Sequence, residues 1–264
     1  MKIPVLCLSL GLAAFSIAAA QAPATSPKPA TRTGTATHHP TTHHMTFDPA
    51  LLHPAELKAR APENYEVTFE TTRGNFVVQV TRAWAPIGAD RFYNLVKHGF
   101  FNGDPFFRVV PGFVVQFGLT GRPDVNRAWQ NANMRDDPVK QHNLPGYITF
   151  AKTSMPNSRS TQLFINLGDN SDASPNNLDA QGFAPFGNVI SGMDVVQNIY
   201  SGYGQQPDQG AIASKGSEYF LRQFPKLDLI KTATITSPAP APTHHTSSSA
   251  THHTPSGGGS KPTQ

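Results

Sequence analysis

The residues with the most chemical content lie in the run Phe106-Phe107-Arg108-Val109-Val110-Pro111-Gly112-Phe113-Val114-Val115-Gln116. It brings a guanidinium and a carboxamide together among aromatic and branched apolar side chains. A guanidinium stays protonated and presents its N–H donors as a rigid fork. Beside an apolar surface such a donor can hold a polar group but supplies no nucleophile, and taken alone Arg108 reads more often as a solvated strand charge. Hydrolytic chemistry finds little support elsewhere. The one cysteine, Cys7, falls in an apolar N-terminal stretch, and no Gly-x-Ser-x-Gly elbow occurs. The candidate histidine bases in or beside the foldable part are His53, His98 and His142, and His98, just before Gly99, reads as a helix C-terminal cap. There is no His-Glu-x-x-His, no cysteine pair and no EF-hand spacing. Asp136-Asp137 and Asp169-Asn170-Ser171-Asp172, with Pro138 and Pro175 close behind, read as turns. No metal and no cofactor is expected.

The elements that must position Arg108 are short and mostly extended. Tyr65 to Thr72 alternates apolar and polar residues, Arg73-Gly74 turns the chain, and Asn75 to Val80 returns, which predicts a β-hairpin. After Pro86, Ile87, Phe92, Leu95 and Val96 share one helical face, and Gly99 ends it. Further strands are expected at residues 107–110, 113–117, 147–151, 163–167, 187–190 and 229–235, with helices at 193–199 and 218–224. These patterns specify a mainly antiparallel sheet without separating a closed barrel from a sandwich.

Composition brackets this domain on both sides. Of the 264 residues, those at either end are crowded with Pro, Thr, Ser, Ala and His, too polar to offset the entropy of ordering them. Residues 1–22 carry Lys2, an apolar stretch from Val5 to Ile17 and Ala20-Gln21-Ala22, the parts of a secretory signal. Residues 23–62 are expected as a disordered linker, 63–236 as the domain, and 237–264 as a disordered tail. The protein is thus expected in the periplasm or secreted, with no stable membrane span once the signal is removed. Histidine pairs such as His38-His39 and His244-His245 on the arms lack the converging geometry of a metal site and read as solvated spacers. The formal charge of +4 comes from scattered basic residues without a run of five, so no nucleic-acid partner is expected.

Three ordered blocks give these residues a common meaning. Phe106, Arg108, Pro111, Gly112, Phe113 and Gln116 form the first. Gly146-Tyr147-Ile148-Thr149-Phe150-Ala151 leading to Gln162-Leu163-Phe164-Ile165 is the second. Leu178-Asp179, Phe183-Ala184-Pro185-Phe186-Gly187 and Gly192-Met193-Asp194 make the third. Together they resemble the cyclophilin-type peptidyl-prolyl cis-trans isomerases, from about Tyr65 to Ile235. Val115 to Gly118, Asp136 to Val139 and Phe224 to Asp228 are similar to exported bacterial members.

The resemblance implies a closed antiparallel eight-stranded barrel capped by two helices, with a short extra helix near the C-terminal end of the domain. It implies a monomer acting on proline-containing polypeptides. Arg108, Gln116 and Phe113 would be catalytic. Phe113, Val114, Gln116, Ala151, Lys152, Gln162, Phe164, Leu178 and Phe183 would bind substrate. The rival from another class is a slow or inactive binding or chaperone module on the same fold. Phe107 and Phe183 stand where histidines are common, and Asn177 where a tryptophan often sits. Substrate preference and cyclosporin response are therefore not expected to follow the eukaryotic members.

Overall fold

A computed structural model describes residues 48–237. The expected signal segment, the histidine pairs and nearly all of the expected tail lie outside these residues.

The hairpin forms where alternation predicts it. β1 (Asn64–Thr71) and β2 (Gly74–Thr81) pair in register from Asn64 opposite Thr81 to Thr71 opposite Gly74. Gly74 supplies the positive φ of 129° that the turn requires. Tyr65, Val67 and Phe69 face inward from β1, and Phe76, Val78 and Val80 from β2. The Phe69 and Phe76 rings stack 4.7 Å apart. Each fully buried aromatic of this kind contributes about 1.5–3 kcal/mol of transfer free energy.

α1 (Pro86–Lys97) lays Ala89, Phe92, Leu95 and Val96 on that core. Its first turn has no side-chain cap of its own. Instead Asp137, from a distant loop, accepts hydrogen bonds from the amides of Ile87 and Gly88 at 3.0 and 2.9 Å. The buried Arg159 holds this carboxylate with two 3.1 Å contacts, so one ion pair fixes both the helix start and the 151–162 loop.

The remaining strands are β3 (Arg108–Val110), β4 (Val114–Phe117), β5 (Tyr147–Phe150), β6 (Leu163–Asn166), β7 (Pro185–Ser191) and β8 (Ile230–Ser237). All pair antiparallel in the order β3-β4-β6-β5-β7-β2-β1-β8. The sheet curls around the core but does not close, which corrects the expectation of a closed barrel. Near β3 and β8 the contact is an isolated bridge between Pro105 and Leu229. The physical reason is local: Pro105 has no N–H to extend a ladder, and β3 is only three residues long. Its outer edge is occupied as well, since the Val109 amide donates to the Gly204 carbonyl at 3.1 Å.

The helix complement is also larger than expected. Besides α3 (Met193–Gln197) and α5 (Ser217–Gln223), both near their expected places, there are α2 (Pro123–Trp129) and α4 (Gln209–Lys215). α4 and α5 bury Ile212 and Phe220 in a second small core with Phe107, Leu119 and Leu227. Phe107 thus serves as the base of this helical pair. Residues 48–62 fall within the segment expected as linker, and here they form 3-10 turns at Pro49–Leu52 and Pro54–Glu56. Leu51 is buried there, with its carbonyl accepting from Trp129 Nε1 at 2.8 Å, and Asn94 brackets Ala59 with two hydrogen bonds. Among the described residues no helix is long and apolar enough to cross a membrane.

Candidate active site

Side chains opposite one another in a sheet share a face, and one row of this sheet carries the site. Arg108 on β3 opposes Gln116 on β4, and Gln116 opposes Phe164 on β6. Period-two alternation sends the neighbouring row, Val109, Val115 and Ile165, into the core, so the Arg108 row faces out of the curl.

Arg108 is held from two sides. Its Nη1 donates to Gln116 Oε1 at 3.2 Å, and its Nε donates to Gln205 Oε1 at 2.9 Å. The guanidinium carbon lies 5.3 Å from the centre of the Phe113 ring. Partial burial draws the Arg108 pKa below the usual arginine value, yet a guanidinium remains the cation at neutral pH. Gln116 is buried and passes the chain of contacts on, donating from Nε2 to Gln162 Oε1 at 2.8 Å. Gly118 makes this approach possible: its φ is +101°, and a Cβ there would stand 2.8 Å from Gln162 Cα.

Beside the guanidinium lies a separate apolar cluster. Val114, Phe164 and Leu178 are its buried members, with Phe113, Ala151 and Phe183 packed against them. Phe164 and Phe183 meet edge to face with centroids 5.7 Å apart. Lys152 lies at the rim, its Nζ 5.9 Å from the Phe183 ring centre and 3.5 Å from Asp136. The candidate residues named from sequence therefore gather in two adjoining groups. The donor chain holds Arg108, Gln116 and Gln162, and the apolar group holds Phe113, Val114, Ala151, Phe164, Leu178 and Phe183, with Lys152 at its edge.

Sequence reasoning missed the residues that hold this wall from behind. Asn143 is fully buried, and its amide and Nδ2 donate to Asp179 Oδ1 at 2.9 and 2.7 Å. The same Nδ2 donates to the Phe183 carbonyl at 2.8 Å, while Thr149 donates to Asn143 Oδ1 at 2.9 Å. Burial alone would raise the Asp179 pKa, but hydrogen bonds from Asn143 and His142 outweigh it and hold the carboxyl below its usual range. In the sequence Asn143 is one polar residue in a turn, with no pattern marking it as buried. Gln205 was missed for a similar reason, as part of a Gly- and Gln-rich loop far from Arg108 along the chain.

Comparison with known proteins sets this geometry in a family. Residues 66–215 match the family model described as cyclophilin type peptidyl-prolyl cis-trans isomerase/CLD. The chain belongs to the cyclophilins. A peptidyl-prolyl cis-trans isomerase from Acinetobacter baylyi is 36% identical over 153 residues, covering 54% of this chain and 76% of that protein. Peptidyl-prolyl cis-trans isomerase A of Dickeya dadantii is 34% identical, over 53% of this chain and 73% of its own length. Peptidyl-prolyl cis-trans isomerase B of Escherichia coli is 32% identical, over 50% of this chain and 82% of its own length.

As a cyclophilin, the protein has isomerase activity in a setting with its own features. The family match ends at residue 215, at the end of α4, so α5 and the return to β8 lie beyond it. Phe107 is buried under the helical pair rather than presented to a substrate, and Asn177, next to Leu178 in the chain, is exposed with a left-handed φ of 47°.

Proposed function

We propose that this cyclophilin accelerates rotation about X-Pro bonds by capturing the proline ring on its apolar group and stabilising the twisted amide with Arg108. In this reading Phe113, Val114, Phe164 and Leu178 take the ring, Ala151, Lys152 and Phe183 border the preceding residues, and Gln162 and Gln116 hold the donor side. Planar amide resonance gives the uncatalysed rotation a barrier of about 18–20 kcal/mol. At the twisted state the imide nitrogen loses conjugation and becomes a basic, pyramidal acceptor. A fixed cationic N–H donor favours that state over either planar isomer, which is what lowers a barrier. No bond is made or broken, so no base or nucleophile is needed.

The observation that carries this reading is the adjacency of a twice-anchored, half-buried guanidinium to a small apolar group. Export rests on the charged, apolar and small-residue order of residues 2–22, and would place the enzyme among proline-containing proteins in the periplasm or outside the cell. Exchange NMR on an Ala-Pro peptide tests the activity. Cross-peaks between the cis and trans signals are expected at substoichiometric enzyme, and their absence would remove the proposal. Amino-terminal sequencing of the protein from fractionated cells tests export, with cleavage near Ala22 in the exported fraction as the supporting result.

A further inference from the structure

The segment between α3 and α4 is pinned at several points around Arg108. At its start the Tyr200 amide donates to Asp228 Oδ2 at 2.8 Å, and Asp228 is itself held by Thr72 Oγ1 at 2.7 Å and Arg73 Nε at 2.6 Å. The buried carboxylate thus ties this segment to the β1–β2 turn. The Tyr203 ring stands edge-on to Tyr200 at 5.1 Å and to Phe224 at 5.0 Å. Gly204, at a φ of 54°, receives the Val109 amide on its carbonyl. The next residue is Gln205, whose Oε1 accepts from Arg108 Nε.

An exposed glutamine with one hydrogen bond is ordinarily worth little. Here the backbone on both sides of the contact is fixed, because Val109 follows Arg108 and Gly204 precedes Gln205. The carboxamide and the guanidinium are therefore presented to each other by a backbone hydrogen bond one residue away. Arg108 otherwise has a long, flexible stem, and ordering it costs entropy each time it engages the twisted amide of a bound peptide. Gln116 alone anchors one Nη. With Gln205 on Nε and Gln116 on Nη1, two nitrogens of the planar fork are engaged, and among the described residues no acceptor takes the protons of Nη2, which leaves them for a substrate. Both anchors are neutral acceptors, so they orient the cation without neutralising it.

We propose that Gln205 is a positioning residue for Arg108, fixing its guanidinium for catalysis from a loop that the sequence places almost a hundred residues away. The inference rests on the role given to Arg108 above. It predicts a loss in kcat rather than in peptide affinity, because Gln205 acts through Arg108 and not on the peptide.

The test compares wild type, Gln205→Ala, Gln205→Glu, Gln206→Ala and Arg108→Ala as full-length chains on an Ala-Pro peptide. Exchange NMR gives the on-enzyme rate and the dissociation constant, and the Arg108 Nε–H cross-peak reports guanidinium order. Gln205→Ala is expected to lower kcat about tenfold, the low end for one hydrogen bond to a charged group. Its peptide affinity should stay within about twofold, and the Nε–H signal should broaden through solvent exchange. Gln205→Glu keeps an acceptor at the same reach and should recover the Nε–H signal and part of kcat, while the neighbouring Gln206→Ala should match wild type. A wild-type rate in Gln205→Ala beside a dead Arg108→Ala would overturn this proposal and leave the isomerase mechanism standing. So would a loss borne by affinity alone, or an equal loss in Gln206→Ala. A fully active Arg108→Ala would remove both.

Discussion

Arg108 and Gln116 stand directly opposite each other on β3 and β4, and Gln116 Oε1 accepts from Arg108 Nη1 at 3.2 Å while its Nε2 donates to Gln162 at 2.8 Å. Gln116 thus joins the two walls of the site through one side chain. Gln116→Ala should lower kcat/KM by about tenfold or more, since it frees one Nη of Arg108 and leaves Gln162 without its donor. A protease-coupled peptide assay measures the loss. Thermal denaturation followed by circular dichroism should show the fold retained, because Gln116 faces away from the main core.

Asp104 offers a test of stability rather than chemistry. It is completely buried, and neither carboxylate oxygen has a hydrogen-bond partner among the described residues. Burial pushes its pKa well above the usual 3.8. A carboxyl whose folded pKa is raised destabilises the protein increasingly as pH climbs above the unfolded value, up to the folded one. Asp104→Asn removes the ionisation with little change in volume. It should stabilise the protein at pH 7 by on the order of 1–3 kcal/mol, since each unit between the folded and unfolded pKa corresponds to about 1.36 kcal/mol. The gain should shrink as the pH of urea denaturation is taken down toward 4, and a gain independent of pH would contradict the account.

His142 and Asp179 should titrate as partners. His142 Nδ1 lies 2.8 Å from Asp179 Oδ2, and this contact raises the His142 pKa above 6.5 while helping to lower that of Asp179 below 3.8. The sign differs for the two groups. The histidine contribution is complete below pH 6.5 and fades as pH rises through the raised value. The aspartate contribution is present above pH 3.8 and is lost as pH falls through the lowered one. An NMR titration of the His142 ring should give a midpoint above 6.5, returning toward 6.5 in Asp179→Asn. An unshifted midpoint in wild type would separate His142 from the network behind the Leu178–Phe183 wall.

Alternation and turn chemistry made most of the sheet legible from sequence. Tyr65, Val67 and Phe69 alternate with polar residues, and Arg73-Gly74 marks the turn, so β1 and β2 were readable to within a residue or so. α1 was readable because Pro86 and a full apolar face mark it. α2 and α4 were not: α4 carries Ile212 as its one large apolar side chain, while the spacing of Val125, Ala128 and Trp129 in α2 was present but unread. The openness of the sheet was equally hidden. It depends on Pro105 meeting Leu229 and on Gly204 reaching Val109, pairings that no local pattern encodes. The site divides the same way. The Arg108–Gln116 pair sits within one hairpin and shows in the sequence, whereas Asn143, Asp179 and Gln205 enter through long-range contacts of single polar residues.

Arg108 is the residue proposed to stabilise the twisted amide. The most direct measurement is the on-enzyme cis–trans exchange rate of an Ala-Pro peptide with wild type and with Arg108→Ala, at peptide concentrations that saturate both. Loss of a charge-assisted donor from a preorganised site costs on the order of a hundredfold or more in rate. Such a loss is expected with the peptide still bound on Phe113, Phe164 and Leu178. An Arg108→Ala protein that exchanges the peptide at the wild-type rate would contradict it.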